Sequence, residues 1–146
     1  MIRLEDEAAT AAIGKAVAAV LGAGDVVTLS GDLGVGKTAL ARSILWAAGH
    51  VGDVPSPTFA IVQPYDDLPL PIWHADLYRI EHPAELAEIG LETALDGGAL
   101  LVEWPERAGP DAWPEALALR LDFAGEDARE LTVRVPGSWT HRWPPR

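Results

Sequence analysis

The chain has 146 residues, 49% of them hydrophobic, which is enough to bury the core of a single domain. It contains no cysteine, which excludes disulfides and thiol chemistry and favours a cytoplasmic location. No apolar run approaches the length of a membrane-spanning helix, and the acidic N-terminus lacks the layout of a signal peptide, so a soluble protein without membrane contact is expected. The net charge of −11 argues against direct nucleic-acid binding, which usually needs a basic stripe.

The first third of the chain predicts a helix, a strand and a second helix. Asp6 can cap the first helix, because its side chain can accept an N–H of the opening turn. An apolar stripe at helical spacing follows Asp6 and comprises Ala9, Ala12, Ile13, Ala16, Val17 and Val20. Residues 25–30 predict a short buried strand. A second stripe then predicts another helix, formed around Leu40, Ala41, Ile44, Leu45 and Ala48 and closed by Gly49.

Between that strand and the second helix lies the pattern G-x-x-x-x-G-K-T of a phosphate-binding loop. Its residues are Gly31, Asp32, Leu33, Gly34, Val35, Gly36, Lys37 and Thr38. The glycines let the backbone approach a ligand closely, and the loop N–H groups with the helix N-terminus form an anion nest. Lys37 can reach the β- and γ-phosphates, and the Thr38 hydroxyl can ligate Mg²⁺. A chance glycine-rich turn is the alternative, but lysine occurs only at Lys15 and Lys37, so the pattern predicts a nucleotide site.

The rest of the chain predicts further strands and helices. Strands are expected at 59–63, 70–74 and 99–103, helical segments at 83–88 and 91–95, and a hairpin at 117–123 and 131–135. The pattern predicts an α/β fold: one three-layer P-loop NTPase domain, residues 1–136, with a mostly parallel central sheet and a C-terminal antiparallel hairpin. Two adjacent prolines favour disorder in a tail of residues 137–146.

Three other segments carry candidate chemistry. Glu103 ends a buried strand, where a Mg²⁺-nucleotide site commonly has its second acid, although an acid that merely enters solvent is the alternative. Asp76 follows another strand and could orient the attacking water or hold a metal-bound water, while Arg79 could hold the segment through ion pairing. The cluster from His74 to Arg79 could also be only a structural network. A rigid loop could sense a γ-phosphate as a switch, or simply connect elements; it comprises Ser56, Pro57, Thr58 and Phe59.

The order and spacing of four motifs resemble those of the TsaE (formerly YjeE) family, the bacterial ATPases of tRNA threonylcarbamoyladenosine synthesis. The motifs are GDLGVGKT at 31–38, SPTF at 56–59, HADLYR at 74–79 and EWPE at 103–106. The resemblance covers about residues 4 to 135, and four motifs in register make it far more specific than the phosphate loop alone.

The resemblance implies that the chain binds ATP with Mg²⁺, hydrolyses it slowly and associates with a TsaD–TsaB pair that modifies an adenosine beside the anticodon. Thr38 and Glu103 match the family's metal ligands, and Asp76 matches the aspartate needed for hydrolysis, so Lys37, Asp76 and Glu103 are the catalytic candidates. The 56–59 loop resembles the family's switch. An adenine pocket between the first helix and the C-terminal hairpin is implied at Glu7, Thr10, Ala128 and Arg129.

Three other functions remain open. A small-molecule kinase would use the same loop but needs an acceptor pocket and usually an arginine-bearing lid, and no inserted lid is apparent. A GTPase switch typically carries an Asn-Lys-x-Asp motif, whereas this chain contains no asparagine. A binding module that holds nucleotide without hydrolysing it is the third. Product analysis with labelled ATP separates the kinase from the ATPase.

Overall fold

The computed structural model describes residues 1–55, 57, 61–109 and 111–145. The strands in this part of the chain are β1 (Ile2–Leu4), β2 (Val26–Ser30), β3 (Val62–Tyr65), β4 (Ile72–Asp76), β5 (Ala99–Glu103), β6 (Leu117–Phe123) and β7 (Arg129–Arg134). The α-helices are α1 (Glu7–Val20), α2 (Lys37–Ala47) and α3 (Glu85–Ile89). Short 3₁₀ helices lie at Leu91–Leu95, Pro105–Ala108 and Gly137–Trp139.

The seven described strands form one mixed sheet in the order β1-β7-β6-β2-β5-β4-β3. The central four, β6, β2, β5 and β4, pair in parallel, and β3, β7 and β1 add antiparallel pairs at the two edges. The predicted α/β fold, with a parallel core and an antiparallel β6–β7 hairpin, is therefore confirmed. Because the core strands are parallel, their carboxyl ends meet at one edge of the sheet, where ligands of such folds bind.

The sheet buries apolar side chains on both faces. Helices α1 and α2 cover one face, where Val17, Leu40 and Ile44 pack against Leu29 and other strand residues. Helix α3 and the 3₁₀ turn at 91–95 border a second cluster on the other face, whose strand members include Ala75, Leu100 and Val102. Strand β5 is buried along its whole length, which explains its continuous apolar sequence.

Helix α1 begins at the residue that the sequence predicts, and it packs closely against α2. Ala9 N–H donates to Asp6 Oδ1 at 2.9 Å, which is the predicted N-cap of α1. Gly14 lies where α1 approaches α2 most closely, because a Cβ there would stand 2.5 Å from Ser43 Cβ. None of the helices in the described ranges has the length and hydrophobicity that crossing a membrane requires.

The C-terminal segment corrects the expectation of a disordered tail. Trp139 is only 1% exposed, and its indole N–H donates to the carbonyl of Glu115 at 3.1 Å. Arg142 makes a two-point bond to the Asp25 carboxylate, at 2.5 and 3.0 Å, and donates to the carbonyl of Val20. One large buried ring and one ion pair therefore fix this segment against the sheet, which the adjacent prolines did not suggest.

Three strand assignments also differ from the sequence predictions. Strand β1 was not predicted, because three residues are too few to show a period; they are ordered by antiparallel pairing with β7. Strand β4 begins at Ile72, two residues later than predicted, so Pro71 precedes the strand. The strand predicted at 59–63 falls partly outside the described residues, and β3 begins at Val62.

Candidate functional site

The phosphate-binding loop connects β2 to α2 at the carboxyl edge of the parallel strands. Gly31, Gly34 and Gly36 have φ angles of +141°, +78° and +115°, a region that residues with a side chain rarely adopt. At Gly31 an added Cβ would also lie 2.4 Å from the carbonyl oxygen of Leu121 on β6. The loop glycines are thus required by backbone conformation and, at Gly31, by close contact with the neighbouring strand.

Lys37, the first residue of α2, folds back over this loop. Its Nζ donates to the carbonyl oxygens of Gly31 at 2.6 Å and Asp32 at 2.8 Å, and it lies 4.2 Å from the centre of the Trp104 ring. Burial lowers the pKa of the Lys37 ammonium, and the Glu103 carboxylate is the strongest influence in the opposite direction. A desolvated ammonium bonded to neutral carbonyls is a strong potential ligand for an anion.

Thr38 and Glu103 meet beside that lysine. The Thr38 hydroxyl lies 2.9 Å from Oε1 and 3.1 Å from Oε2 of Glu103, so it donates to this carboxylate. Glu103 ends β5 and is only 2% exposed, and its Oε2 also lies 2.6 Å from Nε2 of His74 on β4. The alternative that Glu103 simply enters solvent is therefore wrong.

Asp76 ends β4 and pairs directly with Glu103 in the sheet register. Its Oδ1 accepts the backbone N–H of Tyr78 at 3.0 Å. Burial is the main cause that raises the pKa of Asp76; the Tyr78 N–H acts against this, and repulsion from Glu103 adds to it. Two acidic side chains thus stand side by side at the carboxyl edge, close to the phosphate-binding loop.

These groups face one cleft of about 320 Å³. Its lining includes Lys37, Thr38, Asp76, Glu103, Tyr78 and Trp104, together with Leu33, Gly34, Gly36 and Ala39 of the loop and helix. The Tyr78 and Trp104 rings contact each other at 5.0 Å between centres, and Trp104 has a left-handed backbone at φ +59°. Such a conformation in a residue with a large side chain commonly marks a functional position.

The structure brings together some of the predicted site residues and separates others. Glu7 and Thr10 line a different groove, of about 830 Å³, between α1 and α2. Arg129 donates from Nε to the carbonyl of Val35 in the phosphate loop at 2.9 Å, while Ala128 is buried. The four adenine candidates therefore do not line one described cavity.

The predicted switch loop can be followed only at one residue. The carbonyl of Pro57 accepts the N–H of Ile61 at 2.7 Å, and the Ile61 carbonyl in turn accepts the N–H of Asp76 at 2.8 Å. Ser56, Thr58 and Phe59 lie outside the described residues. Pro57 is thus linked through Ile61, by two main-chain hydrogen bonds, to the strand end that carries Asp76.

The sequence placed three further residues in motifs but gave them no role at the site. Trp104 and Tyr78 line it, and His74 bonds the Glu103 carboxylate. A signal existed for each, because all three lie within the motifs 74–79 and 103–106. The motifs could not show how these side chains are oriented, because strand pairing determines which of them face the phosphate-binding loop.

The Thr38 and Glu103 side chains present oxygen donors of the kind that Mg²⁺ accepts. No group of three or more His, Asp or Glu side chains is arranged as a closed metal site within the described ranges. Mg²⁺ keeps several waters and commonly uses one or two protein oxygens together with phosphates. The adjacent Thr38 hydroxyl and Glu103 carboxylate fit that requirement, since both are oxygen donors next to residues 31–38.

Comparison with known proteins gives a consistent result. Residues 4–131 match the family described as "Threonylcarbamoyl adenosine biosynthesis protein TsaE". The tRNA threonylcarbamoyladenosine biosynthesis protein TsaE of Bacillus subtilis is 40% identical over 130 residues, covering 88% of this chain and 81% of that protein. The protein of the same name from Streptomyces coelicolor is 36% identical over 138 residues, covering 90% of this chain and 91% of that protein.

A solved structure is similar over nearly the whole chain. The crystal structure of Bacillus subtilis YdiB superposes with a TM-score of 0.80 and 34% identity, covering 96% of this chain and 87% of that one. Fold, motif order and sequence identity agree. The chain therefore belongs to the TsaE family of tRNA threonylcarbamoyladenosine biosynthesis proteins.

Proposed function

We propose that this protein binds Mg²⁺-ATP in the cleft at the phosphate loop and hydrolyses it slowly to ADP and phosphate. One observation carries the proposal: a glycine-rich loop, a desolvated ammonium at Lys37 and the Thr38–Glu103 oxygen pair face the same cleft. Each of these features also occurs singly in proteins that bind no nucleotide, but together they provide the positioning and charge compensation that phosphoryl transfer needs.

The loop amides and Lys37 would bind the triphosphate. The Lys37 ammonium donates to the carbonyls of Gly31 and Asp32. Phosphate oxygens are stronger acceptors than carbonyls because they are charged. Triphosphate binding would therefore move Lys37 from these carbonyls to the β- and γ-phosphates.

Thr38 and Glu103 would hold the metal ion. When bound, Mg²⁺ neutralises negative charge on the phosphate oxygens. The Thr38 hydroxyl keeps oxygen lone pairs while it donates its hydrogen to Glu103, so both side chains would offer oxygen donors to the ion. Glu103→Ala should accordingly weaken Mg²⁺-dependent nucleotide binding; an unaltered metal requirement would mean that another acid is the ligand.

Asp76 is the best candidate to orient the attacking water. It lies at the carboxyl edge next to Glu103, it lines the cleft, and its raised pKa favours proton uptake more than that of an ordinary carboxylate. We expect Asp76→Ala to bind ATP but to lose hydrolysis. Asp96→Ala, which removes an exposed carboxylate before β5, is the matched control and should hydrolyse ATP normally.

The family context suggests how the activity is used. We propose that the protein acts with a TsaD–TsaB complex, supporting repeated turnover of tRNA modification, and that the partners rather than this chain hold the tRNA. The net charge of −11 supports this division, since a polyanion would be repelled. Affinity for tRNA alone, comparable to that of a basic RNA-binding protein, would contradict it.

The deciding experiment is a product assay with γ-labelled ATP, on the purified chain alone and with TsaD–TsaB. Free labelled phosphate, increased by the partners and absent in Asp76→Ala, is the expected result. A labelled small metabolite would instead indicate the kinase. Nucleotide binding with no turnover under either condition would leave only a binding module.

A further inference from the structure

We propose that His74 is a positioning residue that holds the Glu103 carboxylate in place for a divalent cation. The inference rests on the proposed Mg²⁺-nucleotide site and adds a residue to it. Three side chains on three elements are involved: His74 within β4, Glu103 at the end of β5 and Thr38 in the first turn of α2.

The contacts form a chain from the core to the cleft. His74 is 0% exposed, and its Nε2 lies 2.6 Å from Oε2 of Glu103. Glu103 in turn accepts from the Thr38 hydroxyl at 2.9 Å. Because a carboxylate can only accept, the imidazole must donate through Nε2. His74 therefore contacts the carboxylate from the side of the core, while Thr38 contacts it at the cleft.

The fully buried position of His74 favours an apolar residue unless the imidazole N–H makes a hydrogen bond. His74 lies between Leu101 on β5 and the half-buried Gln63 on β3. Ile72 precedes it on the same side of β4, and Leu101 and Ile72 are fully buried. The second ring nitrogen, Nδ1, is buried and has no hydrogen-bond partner within the described ranges. A leucine would fill the space without leaving a polar atom unsatisfied. What the histidine adds is its single short bond to Glu103.

The bond can act on metal binding without touching the metal. A glutamate side chain has several rotatable bonds. If nothing restrains it, it loses this conformational freedom when it binds a cation. Here the His74 bond fixes the carboxylate beforehand, with one oxygen already beside Thr38. Loss of such an outer partner typically weakens metal binding by about 10- to 100-fold. His74 lies behind Glu103, so binding of metal-free nucleotide should be indifferent to it.

The test compares metal affinity with metal-free nucleotide affinity in two variants. His74→Leu removes the donor and keeps an apolar side chain of similar size, whereas His74→Gln retains an N–H donor. Binding of Mn²⁺ to the ADP-loaded protein is measured by electron paramagnetic resonance, and ADP binding in EDTA by calorimetry. We expect Mn²⁺ affinity to fall at least about tenfold in His74→Leu and to recover partly in His74→Gln, with ADP affinity in EDTA unchanged.

The outcomes separate this inference from the function it rests on. If the wild-type protein shows no metal-dependent nucleotide binding, the proposed function itself fails. If the wild type binds Mn²⁺-ADP and folded His74→Leu binds Mn²⁺ equally well, only the role of His74 is overturned. Equal loss of ADP affinity with and without metal would indicate a general structural defect and would also overturn it.

A wild-type measurement decides the matter if His74→Leu does not fold. Nitrogen-15 spectra of the imidazole should show a slowly exchanging proton on Nε2, held in the hydrogen bond to Glu103, both before and after Mg²⁺-ADP is added. Loss of that proton signal on metal binding would mean that the hydrogen bond from His74 to Glu103 breaks in the metal-bound protein. His74 could then not hold the carboxylate there, and the proposal would be wrong.

Discussion

Charged side chains that are at least partly buried lie beyond both ends of strand β2, Asp25 before it and Lys37 after the loop that follows it, but the charges are arranged differently. At the start, Asp25 pairs at two points with Arg142, and the Arg142 guanidinium lies 4.0 Å from the centre of the Trp139 ring. At the far end, Lys37 bonds only carbonyl oxygens among the described residues, although acidic side chains are close. The charge before β2 is therefore paired with an opposite charge of the protein, whereas the Lys37 charge has no bonded carboxylate among the described residues.

This difference separates a structural cluster from a binding site. A fully paired ion pair has little left to offer a ligand, and it fixes the segments that carry it. A desolvated cation without a bonded anion costs stability, and a ligand that supplies the anion recovers that cost. Changes at the start of β2 should therefore reduce stability but leave nucleotide binding intact, and changes at its end should do the reverse.

Trp139→Ala should have the largest effect on stability. Truncating a fully buried tryptophan commonly costs about 3–5 kcal/mol, which for a domain of this size lowers the melting temperature by about 10 °C. Trp139→Phe keeps an aromatic ring but loses the bond to the Glu115 carbonyl and part of the buried ring volume, so its melting temperature should fall less than that of the alanine variant. Thermal melts check both, and an unchanged melting temperature in the alanine variant would mean that this segment does not contribute to the core.

Lys37→Ala should show the opposite pattern. Loss of the charge-assisted bonds to phosphate is expected to weaken ATP binding by about 100-fold or more, since each such bond contributes about 1.5–3 kcal/mol. The melting temperature of the ligand-free protein should not fall, because a desolvated ammonium is removed. Calorimetric titration with ATP measures the loss, and Arg134→Ala, an exposed cation on β7, is the charge control. Wild-type affinity in Lys37→Ala would exclude the proposed site.

The ion pair at the start of β2 should contribute less than the tryptophan. A double-mutant cycle with Asp25→Ala and Arg142→Ala should give a coupling free energy of about 1 kcal/mol, as expected for a two-point pair that is partly exposed. Urea unfolding of the four proteins measures it. ATP affinity should be equal in all four, and a parallel loss of binding would show that the two ends of β2 are not independent.

Asp76→Asn should have the smallest effect and a defined pH dependence. Because burial raises the folded-state pKa of Asp76, its charged form destabilises the folded protein at neutral pH. The asparagine variant should therefore melt at a higher temperature at pH 7, while its amide oxygen can still accept the Tyr78 N–H. The gain should shrink as the pH falls through the raised pKa and vanish below the ordinary value of 3.8. A gain that grows at low pH would contradict this assignment.

Several elements were determined by the sequence because their causes are local. The phosphate-binding loop is specified by its glycines and by the change from a strand pattern before it to a helical pattern after it. The Asp6 cap specifies the start of α1, and an unbroken apolar run specifies β5. The β6–β7 hairpin follows from alternation within a few residues of a turn. In each case the chemistry that fixes the element lies close to it along the chain.

The tertiary structure decided the rest, because the deciding contacts join distant parts of the chain. The bond from His74 to Glu103 spans 29 positions, and the one from Asp25 to Arg142 spans 117. Strand β1 exists through its partner β7, and the placement of Glu7 and Thr10 depends on how α1 lies against α2. Sequence patterns indicated the residue types that can bind phosphate and metal, while strand order and helix packing determined which of those side chains share a cleft.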